Sequence, residues 1–459
     1  MALTTFGPGV GLMDHGALDT NLAALALNAR AAPRRTRLAK TLGSGCSYSA
    51  AYPNGTTITF LHIVPIEADC YAVRIGVANP FNADMAILKA SVYPSSTYSV
   101  LSANSNAGLK DILHATQYTV VPTGGGLACP LYFDNAGADL PTINTAGTTR
   151  AFTMAANSAN AANAKVSYTM QWSDFSPCTS IARTDGGTAR LLFIYITVNS
   201  TAMAYSNILC GQANADSLAV RGRYVWTGAA WTTGTDFADN PTGTGFKQWA
   251  LAPLLAVQYL TASPGIQVVL NGDSLPAAPA TDQYSTPLMR AGYDLSSPTM
   301  PIEVASLAFG ATGSAVYDPL LRNNVAAIRP SIAAFSPNSR NDAANLTAAA
   351  TQVLMAKAMA NADTFKAAYG TVPILNSAGC QPSIDGNSTL IAGFNDVQAR
   401  MVACGLPLIN GPAVIGNNAG AAPWDYLAGY SDDNTHPNSA GAEAIVPQAT
   451  AVLRQLIGL

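Results

Sequence analysis

The stretch Gly265-Ile266-Gln267-Val268-Val269-Leu270-Asn271-Gly272-Asp273-Ser274-Leu275 decides how this chain folds. From Ile266 to Leu270 it is uncharged and rich in β-branched residues, which suits a central parallel strand covered on both faces. Gly272 lets the backbone turn sharply at the end of that strand. Ser274 then stands at the carboxyl edge of the predicted sheet, where open α/β sheets bind their ligands. A Gly-Asp-Ser tripeptide alone also reads as an ordinary turn. A second stretch singles this one out.

That stretch is Tyr430-Ser431-Asp432-Asp433-Asn434-Thr435-His436-Pro437-Asn438. The chain has four His, and only His436 lies beyond Ser274. A serine that attacks a carbonyl needs a base with a pKa near neutrality and an acid that orients the base. Asp433 and His436 supply that pair. Pro437 follows at once, so the pair sits on a loop entering the last helix, free to turn toward the strand ends.

Gly272-Asp273-Ser274-Leu275 near the start of an α/β region and Asp433-x-x-His436-Pro437 near its end resemble the first and last sequence blocks of the GDSL, or SGNH, hydrolases. The resemblance covers residues 263 to 459. It implies a serine esterase with Ser274 as nucleophile, His436 as general base and then acid, and Asp433 orienting the imidazole. It also implies an oxyanion hole made by the Ser274 backbone, a Gly and an Asn. Ala308-Phe309-Gly310-Ala311-Thr312-Gly313-Ser314 matches the Gly block through Gly313, with Gly310 as the alternative. Ser336-Pro337-Asn338-Ser339-Arg340-Asn341-Asp342 resembles the Gly-x-Asn-Asp block without its Gly. Asn341, directly before Asp342, is the preferred amide donor, and Asn338 the alternative. No metal or organic cofactor is implied.

The rest of this region alternates between strand and helix patterns. Strands are predicted at Ile302 to Leu307, Ser331 to Phe335, Val372 to Asn376 and Pro407 to Asn410. Between them Leu346, Ala350, Leu354, Ala358, Ala362 and Phe365 recur at helical spacing behind Asp342 as expected cap. Leu390, Phe394, Val397 and Met401 do the same before Gly405. Five strands alternating with helices predict a parallel sheet in a three-layer α/β sandwich of flavodoxin-like type, with right-handed crossovers. Pro276 and Pro279 follow the serine closely, so the next helix is expected to start late, near Asp282 or Tyr284.

With 459 residues, the chain has length for two or three domains. Its formal net charge is −3 and 11% of its residues are charged, which leaves no electrostatic footprint for nucleic acid. No uncharged apolar run approaches the length of a membrane span. The seven Cys show no C-x-x-C spacing, which argues against zinc and leaves zero, one or two disulfides open.

Residues 1–54 carry no signal-peptide pattern, so either a leader has been removed or the protein leaves the cell by another route. A short helix is expected from Asp19. Arg30, Arg34, Arg35, Arg37 and Lys40 make a basic segment that reads as a docking arm or, more simply, as a solvated terminal segment. Residues 55–262 switch to period two. Thr57 to Val64, Cys70 to Ala78, Met85 to Tyr93, Lys165 to Trp172, Arg190 to Val198 and Leu254 to Leu260 read as strands of an all-β sandwich. Around Tyr71 to Asn82 this region resembles the jelly-roll module that precedes some bacterial members of the same family. Trp172, Trp226 and Trp231 are either sugar-stacking surfaces or core residues. His62 and His114 read as structural. A boundary near Ala262 to Gly265 leaves residues 263–459 as the hydrolase domain.

The expected substrate is an acylated, in particular O-acetylated, polysaccharide. A broad short-chain carboxylesterase or lipase is the alternative enzyme. A glycan-binding surface or phage-tail adhesin with an incidental esterase domain is the alternative of another class. An extracellular or virion surface location fits the composition, rich in Ala, Thr, Asn, Gly and Ser.

Overall fold

The computed structural model describes residues 34–38, 40–41, 57–79, 83–100, 120–125, 127–136, 142–155, 170–184, 186, 190–200, 211–212, 223–226, 246–248, 254–277, 286–297, 299–308, 313–337, 339, 341–342, 348–377, 379–380, 388–417 and 425–458. The period-two runs form β1 (Arg34–Leu38), β2 (Lys40–Thr41), β3 (Thr57–Ile66), β4 (Ala72–Val77), β5 (Met85–Val100), β6 (Val120–Gly125), β7 (Cys129–Pro130) and β8 (Phe152–Met154). They continue as β9 (Gln171–Trp172), β10 (Ser176–Pro177), β11 (Arg190–Ser200), β12 (Gly211–Gln212), β13 (Arg223–Trp226), β14 (Phe246–Gln248) and β15 (Leu254–Leu260). One antiparallel sheet runs β1-β15-β4-β10, with β9 also on β4. A second runs β14-β13-β3-β11-β5-β6, with β7 and β8 also on β5. The two share one core, in which Val73, Ile75 and Tyr259 of the first sheet meet Val64, Ile87, Leu192 and Ile194 of the second.

The basic segment is in part structural. Arg34 to Leu38 form the edge strand β1, in antiparallel register with Leu260 to Ala256. The helix expected from Asp19 lies outside the described residues, as do Arg30, His114 and Trp231.

Strand β4 is buried at every position, where simple alternation would leave one side in water. Its second face is covered by Met170, Trp172 and Phe175 of the same region. On that face Arg74 lies fully buried between the rings of Trp172 and Phe175, 4.7 and 4.6 Å from their centroids, and its Nε donates to Gln258 Oε1 at 2.7 Å. Trp172 is 3% exposed and so is a core residue, not a sugar-stacking platform.

Residues 263–459 hold β16 (Ile266–Leu270), β17 (Ile302–Ser306), β18 (Ile332–Phe335), β19 (Val372–Ser377) and β20 (Leu408–Asn410). They form one parallel sheet in the order β17-β16-β18-β19-β20. Its helices are α1 (Ser274–Ala277), α2 (Pro287–Leu295), α3 (Ser314–Ile328), α4 (Ala348–Tyr369), α5 (Ser388–Ala403), α6 (Gly411–Ile415) and α7 (Ser439–Ile457). Leu321 and Val325 of α3, Phe365 of α4 and Phe394 of α5 pack with Val269, Ala333 and Leu375 on one face. On the other face Leu288 of α2 and Ile445 and Leu453 of α7 pack with Val268, Ile332 and Ile374. This is a three-layer α/β sandwich. The strand order reverses at β16, whose neighbours β17 and β18 leave in opposite directions, and such a switch point opens a crevice at the carboxyl ends of the strands.

One local expectation changes. The chain becomes helical at Ser274 itself, for one turn, and the next helix among the described residues starts at Pro287. Thr286 caps it, its hydroxyl accepting from Met289 N–H at 3.0 Å, and Pro287 in the first turn is pre-set for helix. That start lies beyond Asp282 and Tyr284. The Asp342 carboxylate accepts the Ser314 N–H at 3.2 and 3.1 Å, at the start of α3, while residues 343–347, where the helix it was expected to cap would begin, lie outside the described residues. Capping is decided by which helix end the side chain reaches in space.

The two regions meet over a shared apolar face. Ala78, Met170, Trp172 and Ala256 join the same core as Leu320, Leu321, Val325 and Ile328 of α3. Met170 N–H donates to Asn324 Oδ1 at 2.9 Å, Gln258 Nε2 to Ala327 O at 2.7 Å, and Tyr259 O–H to Glu303 Oε1 at 2.5 Å. Among the described residues no helix is long and apolar enough to cross a membrane.

Candidate active site

The corner after β16 is built on Gly272, whose φ of 141° is a conformation that side chains other than hydrogen rarely tolerate. A Cβ there would collide with Pro276 Cγ and come within 2.9 Å of Ser336 Oγ. Asn271, 1% exposed, ties the corner to the neighbouring strand end: its Oδ1 accepts Ser336 N–H at 3.0 Å, and its backbone carbonyl accepts Ser336 O–H at 2.9 Å. Its Nδ2 donates to Asp318 Oδ1 at 3.1 Å.

Asp273 is buried beneath the turn. One carboxylate oxygen accepts Leu275 N–H at 2.9 Å, and the other accepts Ser339 O–H at 2.6 Å. Burial pushes its pKa up to about 6, against the pull of those two hydrogen bonds; Asp342 nearby adds to the rise and His436 opposes it. Ser274 projects from this corner, partly exposed.

The loop before α7 is organised by Asp433. Its Oδ1 accepts the backbone N–H of Thr435 at 2.8 Å and of His436 at 2.7 Å, and its Oδ2 meets His436 Nδ1 at 2.7 Å. Between them Asn434 takes φ 52°, a left-handed position that Asn tolerates better than most residues. Further bonds hold the loop. Ser431 O–H donates to the His436 carbonyl at 2.7 Å, and Tyr426 O–H donates to the Thr435 carbonyl at 3.0 Å and the Cys380 carbonyl at 3.2 Å. Asn438 accepts Gly441 N–H as cap of α7 and donates to Asp432 Oδ1 at 2.8 Å.

His436 Nε2 lies 3.0 Å from Ser274 Oγ, across 162 residues of sequence. Burial disfavours the charge on Asp433, but the His436 side chain and the two backbone N–H groups outweigh it and hold the carboxyl down at about 2. An ionised Asp433 accepts from Nδ1–H, so the Nε2 facing Ser274 carries the lone pair. An imidazole held this way can take the hydroxyl proton of a serine that attacks a carbonyl.

Gly313 stands at the N-terminus of α3, against the Asn341-Asp342 turn. A Cβ on Gly313 would run into the Asp342 carboxylate, which would have to move off the start of α3. Asn341 is exposed, and its backbone N–H donates to Ser339 Oγ at 3.1 Å. Ser339, 0% exposed, thus links the Asn341 turn to Asp273 and hence to the serine corner. The alternatives Gly310 and Asn338 lie outside the described residues.

Sequence reading missed Ser339 and Tyr426, whose contacts join separate segments, and Ser431, whose bond to the His436 carbonyl within the loop follows no local pattern. Asn438 had a local signal, an Asn directly before the last helix.

No family model matches the chain, and no curated protein matches it. Solved structures do match, over about two fifths of the chain. TesA is 18% identical over 41% of this chain and 99% of its own, with a TM-score of 0.33. A member of the lipolytic protein G-D-S-L family from Veillonella parvula is 12% identical over 40% of this chain and 97% of its own, at 0.31. A catalytic mutant of an acetylxylan esterase from Geobacillus stearothermophilus is 14% identical over 42% of this chain and 94% of its own, at 0.30.

Proposed function

We propose that this protein is a serine ester hydrolase in which Ser274, His436 and Asp433 act as a catalytic triad. The observation that carries this reading is the continuous chain of hydrogen bonds, 3.0 Å from Ser274 Oγ to His436 Nε2 and 2.7 Å from Nδ1 to Asp433 Oδ2. Ser274 Oγ attacks the acyl carbonyl while Nε2 takes its proton. The imidazolium so formed is stabilised by Asp433 and returns the proton to the leaving alcohol. Water, deprotonated in its turn by His436, then releases the carboxylic acid from the acyl-serine. The tetrahedral oxyanion is held by the backbone N–H groups of Ser274 and Gly313 and by the Asn341 amide.

The substrate we propose is a small acyl ester, in particular an O-acetyl group, on a carbohydrate. The rim beside His436 supports it: Ser431, Asp432, Asn434 and Thr435 carry hydroxyl, carboxylate and amide groups, and all are at least partly exposed. Such a rim suits a hydroxyl-rich alcohol better than a long acyl chain. The β domain in front, read from sequence as jelly-roll-like, would then hold polymer. The test is acetate release from acetylated glycans beside hydrolysis of p-nitrophenyl esters of increasing chain length, with Ser274→Ala as control. The reading expects higher kcat/KM on acetylated glycan and none above background for Ser274→Ala. A preference for long acyl chains would overturn the carbohydrate assignment, and undiminished activity in Ser274→Ala the triad.

A further inference from the structure

The peptide unit that joins Thr435 to His436 is held at both ends. Its N–H donates to Asp433 Oδ1 at 2.7 Å, and its carbonyl accepts the Tyr426 O–H at 3.0 Å. A peptide unit is planar, so bonds on its two sides fix the plane from which the His436 side chain departs. The two partners differ in where they are anchored. Asp433 belongs to the same loop and moves with it. Tyr426 is tied elsewhere: it pairs with Gly416 in an antiparallel bridge after α6, where Leu427 N–H donates to Ile415 O at 2.8 Å and Asn417 N–H to Asp425 O at 2.7 Å. Its ring packs against the core that contains Cys380 and Ile415.

The Tyr426 hydroxyl also reaches the parallel sheet. It shares its proton with the carbonyl of the fully buried Cys380, 3.2 Å away and just beyond β19. Burial, with Cys380 and Asp433 nearby, pushes its pKa up, so it stays a donor to both carbonyls. Gly379 lies beside it. A Cβ on Gly379 would stand 2.9 Å from the Tyr426 hydroxyl, 3.3 Å from Leu275 Cδ2 and 3.4 Å from Pro437 Cδ. Leu275 follows Ser274, and Pro437 follows His436. The serine corner, the histidine loop and Tyr426 therefore converge on one strand end.

We propose that Tyr426 is a positioning residue of the triad: by binding the Thr435 and Cys380 carbonyls with one hydroxyl, it fixes His436 Nε2 at reacting distance from Ser274 Oγ. The inference rests on the triad reading and adds the residue that sets its geometry. Nε2 and Oγ are 3.0 Å apart, and proton transfer needs that contact kept at hydrogen-bond length. Displacing a reacting group by about 1 Å costs about 10²-fold in rate. Without the Tyr426 hydroxyl the loop keeps its own Asp433 bonds and loses this tie to the end of β19.

The test is Tyr426→Phe in the full chain, which deletes the hydroxyl and keeps the ring, with p-nitrophenyl acetate as substrate and active serines counted with a fluorophosphonate. The expected result is a fall in kcat per active serine of about 10- to 100-fold, with KM within about twofold of the parent. The low-field proton resonance of His436 Nδ1–H should persist, because its 2.7 Å bond to Asp433 Oδ2 lies within the loop. Gly379→Ala should lower kcat in the same way, since its methyl group displaces the hydroxyl, and it carries the test where Tyr426→Phe fails to fold. Three results would overturn the proposal: a kcat per active serine within about twofold of the parent, a change confined to KM, or loss of the Nδ1–H resonance, which would make Tyr426 a support of the loop's own fold. Ser274→Ala, run beside these variants, separates the inference from the triad reading. An inactive Ser274→Ala with an unimpaired Tyr426→Phe removes the positioning role alone, and an active Ser274→Ala removes both.

Discussion

Ser274 Oγ and His436 Nε2 are 3.0 Å apart, so each side chain can be tested by removal. Ser274→Ala should lower kcat on a soluble ester by about 10⁴-fold or more without changing the unfolding temperature, since it deletes one partly exposed hydroxyl. Asp433→Ala should lose less activity but some stability, because its Oδ1 also holds the backbone of Thr435 and His436. Steady-state kinetics beside thermal melts separate the two variants.

Asp273 gives a prediction in pH. Its folded pKa is about 6 against 3.8 for the unperturbed group, so the folded state keeps this proton while the unfolded chain has already lost it. The penalty is absent below about pH 4, grows between about 4 and 6, and is complete above 6, at a ceiling of about 3 kcal/mol. Asp273→Asn removes the titration. Its stability relative to the parent should therefore rise between pH 4 and 6 and level off above, as read from urea midpoints. A changed hydrogen bond to Ser339 adds only a constant offset. A difference independent of pH would show that burial does not raise this carboxyl.

At the scale of elements, the N-terminus of α3 depends on a residue from another strand. Asp342 accepts the Ser314 N–H with both carboxylate oxygens and places negative charge at the positive end of a 15-residue helix. Asp342→Ala should cost about 1 kcal/mol, in the range of a lost cap. It should also lower kcat, because Gly313 and Asn341 are held against each other through this carboxylate. Denaturant unfolding and kinetics of Asp342→Ala and Asp342→Asn check this, with Asn expected to retain most of the stability as a capping side chain. Loss of stability with unchanged kcat would detach the turn from the reaction.

At the scale of the whole molecule, the β domain and the α/β sandwich are joined by one apolar face. Leu320, Leu321, Val325 and Ile328 of α3 pack with Met170, Trp172 and Ala256. A fragment beginning at Ser263 would bare that face and leave Asn324 and Glu303 without Met170 and Tyr259 as hydrogen-bond partners. The fragment should express poorly or melt well below the full chain, and it should lose activity on small and polymeric esters alike. A monomeric fragment with full activity on a small ester would mean that the face is covered by local repacking.

The sequence alone determined the parallel sheet and the residues that meet above it. Ile266 to Leu270 is too apolar for anything but a strand covered on both sides, and Gly272 leaves the backbone free at the one position where φ reaches 141°. Ser274, Asp433 and His436 were legible because their motifs are short and local, each carried by a single loop. Tertiary structure alone decided the rest. Asp342 caps α3 from another strand connection, which no local pattern foretold, since a carboxylate binds whichever free N–H groups the fold brings to it. Trp172 could be read as a surface or a core ring, and the guanidinium of Arg74 stacked on it settles the matter through contacts a hundred residues apart. Ser339 has no motif of its own, because its link between Asp273 and Asn341 arises only where two strand ends lie side by side. Periodicity reports which way a side chain faces along its own strand. Hydrogen-bond partners and shared cores depend on which strands become neighbours, and no local pattern encodes that.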